Sequence, residues 1–264
     1  MLRKFLKKIF DKLTVKYYRD QIISQQETLR VEMRHIYNQL FLNNPILVVQ
    51  NVKMYLPLFY VDHIQKIIFQ TRNFYEIETL TFLQLHYKKF EHVIDIGGNI
   101  GNHVLYYCSC MDATQVHCFE PNKFNREILK KNIDLNNLSH IVKIYPAALG
   151  SQAGKDIQED FTFSNTGMNR VNKIQAEDKH ENEIEIKPLD EFDIQKVNFI
   201  KIDVEGFELD VLKGSEQIIK RCKPVIMVEV FENNRLQIDE LMGNYGYGKL
   251  TTLGEFNCLY TPQY

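Results

Sequence analysis

With 264 residues, 44% hydrophobic and 25% charged, the chain has the make-up of one full-sized soluble globular domain with room for an extra segment. A net charge of −2 excludes a global field that would draw it to nucleic acid, and no apolar run approaches the roughly 20 residues of a membrane span. The five cysteines (Cys108, Cys110, Cys118, Cys222, Cys258) are odd in number, lack C-x-x-C spacing and lie mostly in apolar runs, so they read as reduced core residues of a cytosolic protein.

The opening MLRKFLKKIF has neither a long apolar region nor a small-residue cleavage site, so it does not read as a secretory signal. Residues 2–13 instead set Leu2, Phe5, Leu6, Ile9, Phe10 and Leu13 at helical spacing among Arg3, Lys4, Lys7, Lys8 and Lys12. Such a basic amphipathic helix can lie on an anionic membrane face, or pack on its own domain or on a second subunit. From Ile22, the 3/4 spacing of Leu29, Met33, Ile36 and Leu40 suggests helix pairing and hence a homo-oligomer. Asn43-Asn44-Pro45 ends this arm, which gives a helical segment over 1–45 and a second domain over 46–264. Pro45 to Tyr60 reads as extended, and 74–90 as a helix leading into a glycine-rich stretch.

That stretch is VIDIGGNIGNH, residues 93–103. An apolar run holding one carboxylate, Asp95, breaks at Gly97-Gly98 and resumes as a helix from Asn102, the pattern of a buried parallel strand, a tight turn and a helix start. The dinucleotide fingerprint G-x-G-x-x-G would need glycine at 97, 99 and 102, and the chain has Gly97, Asn99 and Asn102. An acid at the strand end repels a pyrophosphate and welcomes an ammonium. S-adenosylmethionine (SAM), which carries an α-ammonium and no phosphate, therefore suits the turn better than NAD. A helix over 74–90 would cap that pocket, which makes Glu76 and Glu78 candidates for cofactor contact, with at least one of them in solvent.

From Val93 onward strand and helix alternate. Val93 to Ile96, Gln115 to Phe119, Ile141 to Tyr145, Val197 to Ile202 and Val225 to Val230 read as strands, and Phe124 to Leu135 and Phe207 to Arg221 as helices. Such alternation implies a parallel sheet with right-handed crossovers. Lys249 to Leu253 and Asn257 to Tyr260, joined by Gly254-Glu255, read as a hairpin, one strand of which must run antiparallel to the sheet. The polar segment Gly150 to Glu185 breaks the pattern and is expected to carry substrate contacts, in the form of a small hairpin. In open parallel sheets ligands bind at the carboxyl ends of the strands. There the chain places Asp95, Glu120, Asp203 with Glu205, and Glu229, so four strands point an acid at one crevice. Glu120 can accept both hydroxyls of a ribose.

VIDIGGNIGNH, HCFEPN, PAALGS, FIKIDVEGFELDVLKG and PVIMVEV together resemble the FkbM family of SAM-dependent O-methyltransferases, over roughly Phe74 to Glu232. The resemblance implies an α/β fold: a seven-stranded, Rossmann-like methyltransferase sheet with helices on both faces, here preceded by the helical arm. It implies that Asp95, Gly97, Asn99 and Gly101 hold the methionine part of SAM, with Gly98 and Asn102 in the same turn, Glu120 at the ribose and Ala147 on the adenine side. Methyl transfer to a hydroxyl needs a base for its proton. Asp203, Glu205 and Glu229 are the candidates, with Asp203 nearest the methyl and also a cofactor neighbour, and Glu205 as the base. The same carboxylates could hold Mg²⁺, although no pattern requires it. His103, His117 and His140 read as structural. No N-P-P-Y-like element follows the fourth strand, which argues against a nucleic-acid acceptor. The expected function is O-methylation of a sugar hydroxyl in bacterial surface polysaccharide synthesis, in the cytoplasm or at the inner membrane surface. The alternatives are a hydroxylated natural product as acceptor, or a SAM-binding scaffold acting through its arm.

Overall fold

A computed structural model describes residues 43–157 and 183–263, together with Ile23, Gln25, Gln26 and Phe41. The predicted basic helix over 2–13, most of the stripe over 22–40 and the centre of the polar segment, 158–182, lie outside the described residues. By internal contacts the chain divides into two compact units, Met1–Ile46 and Leu47–Tyr264. Among the described residues no helix is long and apolar enough to cross a membrane.

The stretch predicted as extended is a hairpin of β1 (Ile46–Val49) and β2 (Val52–Tyr55). Its two turn residues, Gln50 and Asn51, have φ of 48° and 69°, the double positive φ that lets a two-residue turn match strand twist. Helix α1 (His63–Thr71), to which the sequence reading assigns no element, opens on Asp62, whose Oδ1 accepts the Gln65 N–H at 2.8 Å. Helix α2 (Ile77–Tyr87) fills the centre of the predicted 74–90 helix.

The chain then runs through β3 (His92–Ile96), α3 (Asn102–Cys110), β4 (Gln115–Phe119), α4 (Lys123–Leu135) and β5 (Val142–Tyr145). A small sheet follows, made of β6 (Ala148–Leu149), β7 (Gly154–Ile157) and β8 (Glu183–Lys187). Next come β9 (Phe199–Ile202), α5 (Glu208–Lys213), α6 (Glu216–Cys222), β10 (Val225–Glu229), α7 (Arg235–Asn244), β11 (Tyr247–Leu253) and β12 (Asn257–Pro262). The main sheet has the order β11-β12-β10-β9-β3-β4-β5; β12 is antiparallel to both neighbours and the other adjacent pairs are parallel. The reversed strand of the predicted hairpin is thus β12, one place in from the edge. In the small sheet β7 pairs antiparallel with β8, so the two described ends of the polar segment lie side by side, as an expected hairpin would place them, while the residues that join them lie outside the described residues.

Strand order reverses direction between β3 and β9, and an open sheet of this kind has its ligand crevice at that point. One face of the sheet presents Ile94, Ile96, Ile200, Ile202, Ile226 and Val228 to the buried apolar side chains of α5, α6 and α7. Side chains alternate along strands, so Val93, Asp95, Phe199 and Lys201 face the other way. There Phe199 stacks on Phe90 at 4.4 Å and meets Tyr107 of α3 edge-on at 5.5 Å. Asp95 and Lys201 are a charged pair set into this otherwise apolar layer.

The single helix predicted over 207–221 is two helices. A Cβ at Gly214 would stand 2.0 Å from the Gly150 carbonyl oxygen, so the chain needs glycine there. The second helix restarts on a non-local cap: the Asp190 carboxylate accepts the N–H groups of Gln217 and Ile218, both at 2.9 Å. Gly214→Ala forces two backbones apart, which should cost about 1–3 kcal/mol. In urea denaturation this would appear as a lower midpoint with unchanged slope; an unchanged midpoint would show that the contact yields freely.

Candidate active site

The glycine turn is built for close packing. At Gly97, where φ is +82°, a Cβ would lie 1.8 Å from the Asp203 carbonyl oxygen, so this glycine lets the β3 and β9 ends meet. At Gly98 and Gly101 a Cβ would meet Cys118 Sγ at 2.1 Å and Leu129 Cδ1 at 2.5 Å. These glycines clear protein neighbours. Most of the turn's amides are also committed: Gly97 and Gly98 donate to the Phe119 carbonyl, Gly101 to the Gly98 carbonyl, and Asn99 to Glu120 Oε2 at 2.7 Å. A phosphate cradle needs such groups pointing outward.

Glu120 is buried at the end of β4 and is held by two amides, those of Asn99 and of Asn122 (2.8 Å to Oε1). Burial pushes its carboxyl up, against the pull of these two N–H bonds. A carboxylate has about four acceptor sites, so two remain for a ligand. Asn102 is spent on the segment before α2: its Oδ1 accepts the Tyr75 N–H at 3.0 Å and its Nδ2 donates to the Tyr75 carbonyl at 3.1 Å. Ala147 is buried in the link between β5 and β6.

The charged centre straddles β3, β9 and β10. Asp95 is fully buried, and neither carboxylate oxygen has a hydrogen-bond partner. Lys201, in register with it on β9, is 2% exposed and places Nζ 3.6 Å from Asp95 Oδ1 and 3.0 Å from Asp203 Oδ2. Burial opposes the Lys201 charge, but Asp203 and Asp95 outweigh it and hold the ammonium above its ordinary range. Burial likewise pushes Asp203 up, but Lys201 and a hydrogen bond with Glu229 bring it below its usual value. Glu229 takes the opposite course: burial, then the Asp203 charge and the bond to it, raise its carboxyl to about 8. The two carboxyl groups are pushed in opposite directions, which makes Glu229 the weaker acid of the pair.

Glu76, at φ +54° before α2, completes the wall. Its Oε1 accepts Asn257 Nδ2 at 2.7 Å, and its Oε2 lies 3.1 Å from His103 Nε2. Glu78 is exposed. Tyr75 is half-buried, its hydroxyl pushed up to about 12 by burial and then by Glu76, Asp203 and Glu229.

The structure therefore gathers Asp95, Asp203 and Glu229 at the switch point, places Glu120 beside the glycine turn, and leaves Glu205 exposed at φ +54° with a carboxyl raised by burial and by Asp203. The sequence reading missed Lys201 and set His103 aside as structural. A lysine among Phe199, Ile200 and Ile202 was itself a signal, of the same kind as Asp95 within its apolar run. Among the described residues no group of three or more histidine, cysteine or carboxylate side chains is arranged to hold a metal ion.

Comparison with known proteins gives three kinds of match. The hexuronic acid methyltransferase AglP of Haloferax volcanii is 34% identical over 139 residues, 50% of this chain and 53% of that protein. Methyltransferase 1 of Beauveria bassiana is 25% identical over 142 residues, 46% of this chain and 57% of that protein. The chain thus spans about half the length of these curated relatives. A crystal structure of a methyltransferase FkbM from Methylobacillus flagellatus KT superposes with a TM-score of 0.48 at 20% identity, covering 65% of this chain and 43% of that one. The methyltransferase FkbM domain model matches residues 95–248, which is more than half of the chain and spans the glycine turn, the β9 motif and β10. With its turn, its strand-end acids and this match in agreement, the chain belongs to the FkbM methyltransferase family.

Proposed function

We propose that this protein is a SAM-dependent O-methyltransferase that moves a methyl group to a sugar hydroxyl, with Glu229 as the general base. The observation that carries this reading is the Glu229–Asp203 pair, in which a carboxyl raised to about 8 stands next to an ionised one at the switch-point crevice. A base of that strength is far better matched to a hydroxyl proton than an ordinary carboxylate.

The residues fit SAM. Asp95 has an ion-pair partner in Lys201 at 3.6 Å but no hydrogen-bond donor on either oxygen, and a bound ammonium would supply one. The free acceptor sites of Glu120 suit ribose hydroxyls, and the committed amides of residues 97–101 leave little for a pyrophosphate. When bound, SAM supplies an electrophilic methyl on its sulfonium sulfur. The chain's own part would be to hold the acceptor hydroxyl and to take its proton onto Glu229, while the oxygen replaces sulfur on the methyl carbon and the electron pair of the broken C–S bond stays on sulfur. Asp203, fixed by Lys201, orients Glu229 throughout. Glu205, exposed at the mouth, is better placed to meet the acceptor than to take its proton.

The sugar class draws on the relative named a hexuronic acid methyltransferase. Assembly of a surface polysaccharide is the setting such an acceptor would imply. The test is to incubate the full chain with SAM and oligosaccharides containing hexuronic acid, then locate any new methyl by mass spectrometry and NMR. A methyl ether on a ring hydroxyl is expected. A methyl ester on the carboxylate would overturn the hydroxyl assignment, and methylation of phenolic natural products alone would overturn the sugar class.

A further inference from the structure

We propose that Lys201 is a positioning residue: its buried ammonium, hydrogen-bonded to Asp203, holds that carboxylate ionised and so keeps the proton of the Asp203–Glu229 pair on Glu229. The inference deepens the reading of Glu229 as the base. It starts from geometry. A lysine that is 2% exposed in the middle of a parallel strand is costly unless its charge is matched. Neutralising Asp95 would be the plain structural role for it. Yet Nζ leans away from that partner, 3.6 Å from Asp95 and 3.0 Å from Asp203, and it makes its hydrogen bond to Asp203 alone. The Asp203 side chain is 33% exposed, so the ammonium spans from the core to the rim of the crevice.

The other titratable groups that act on this centre are acids, thiols, phenols or imidazole. β3 contributes Asp95 and β10 Glu229, and the loop after β9 contributes Glu205. Glu76 and Tyr75 face it from the segment before α2, His103 and Tyr107 from α3, and Cys118 from β4. Lys201 is the only lysine or arginine among these groups. Without it, Asp203 and Glu229 would be two adjacent carboxyl groups competing for protons, and both would bind them more tightly.

The test is an infrared titration of protonated carboxyl groups in the full chain, read without turnover, for the wild type and for Glu229→Gln, Lys201→Met and the double variant Lys201→Met/Asp95→Asn. The double variant removes the buried pair together, so it avoids a stranded charge if the single variant does not fold. In the wild type one protonated carboxyl should disappear near pH 8, and Glu229→Gln should abolish that signal. In the double variant, where residue 95 no longer titrates, Asp203 should gain a proton and a second protonated carboxyl should appear near neutrality, because the lost ammonium stood 3.0 Å from it. A folded double variant with no second protonated carboxyl near neutrality would overturn the proposal. If that second carboxyl appears but no variant and no wild-type protein transfers methyl, the base reading fails and the role of Lys201 stands.

Discussion

Replacing Glu229 by glutamine is expected to lower turnover by about 10²–10⁴-fold, the usual loss when a general base is removed, while SAM affinity stays close to that of the wild type. The reason lies in the environment of this carboxyl. Burial and the Asp203 charge raise it to about 8, so below that pH it holds a proton and cannot accept the one leaving the acceptor hydroxyl. Wild-type turnover should therefore climb with pH through about 8, and the variant should lose that climb. Stability runs the other way. Between the ordinary value of 4.5 and about 8 the folded state keeps a proton that the unfolded chain has released, so the contribution of this group falls as pH rises through that window. Glu229→Gln should accordingly be more stable than the wild type at high pH even as it loses activity. Stopped-assay kinetics and thermal melts over pH 6–10 check both. A Glu205→Gln variant with the larger kinetic loss would transfer the base role to Glu205.

Replacing Asp95 by asparagine should weaken SAM binding by about 10- to 150-fold, the value of a hydrogen bond to a charged group, with the fold retained. Asp95 is fully buried, and both its oxygens lack a donor. The substitution leaves Lys201 paired with Asp203 at 3.0 Å, so it strands no buried charge. Circular dichroism should report native secondary structure while calorimetry reports the loss. Unchanged affinity in a folded Asp95→Asn protein would remove Asp95 from the cofactor contacts.

What could be read from the sequence was what local chemistry determines. The apolar run ending in Asp95, the glycines after it, the acids closing four strands and the turn at Gly254 are local patterns, and the sheet with its reversed β12 followed from them. The break between α5 and α6 was not local, because it depends on the Gly150 carbonyl and the Asp190 carboxylate, both distant in the chain. Helix α1 did carry a signal: Asp62 stands three residues before Gln65, the spacing of a capping box, and it caps that amide. At the site, sequence could rank strand ends but not burial. Glu205 and Glu229 look alike as acids after strands. Only the fold sets one at the surface and the other against Asp203, and only the fold brings Lys201 to both aspartates.

Calorimetric titration of the full chain with SAM, and separately with NAD⁺, tests most directly whether the crevice between β3 and β9 is a methyl-donor site. Saturable SAM binding that Asp95→Asn weakens, with no binding of NAD⁺, is the result expected. A folded protein that fails to bind SAM, or that binds NAD⁺ in its place, would contradict it.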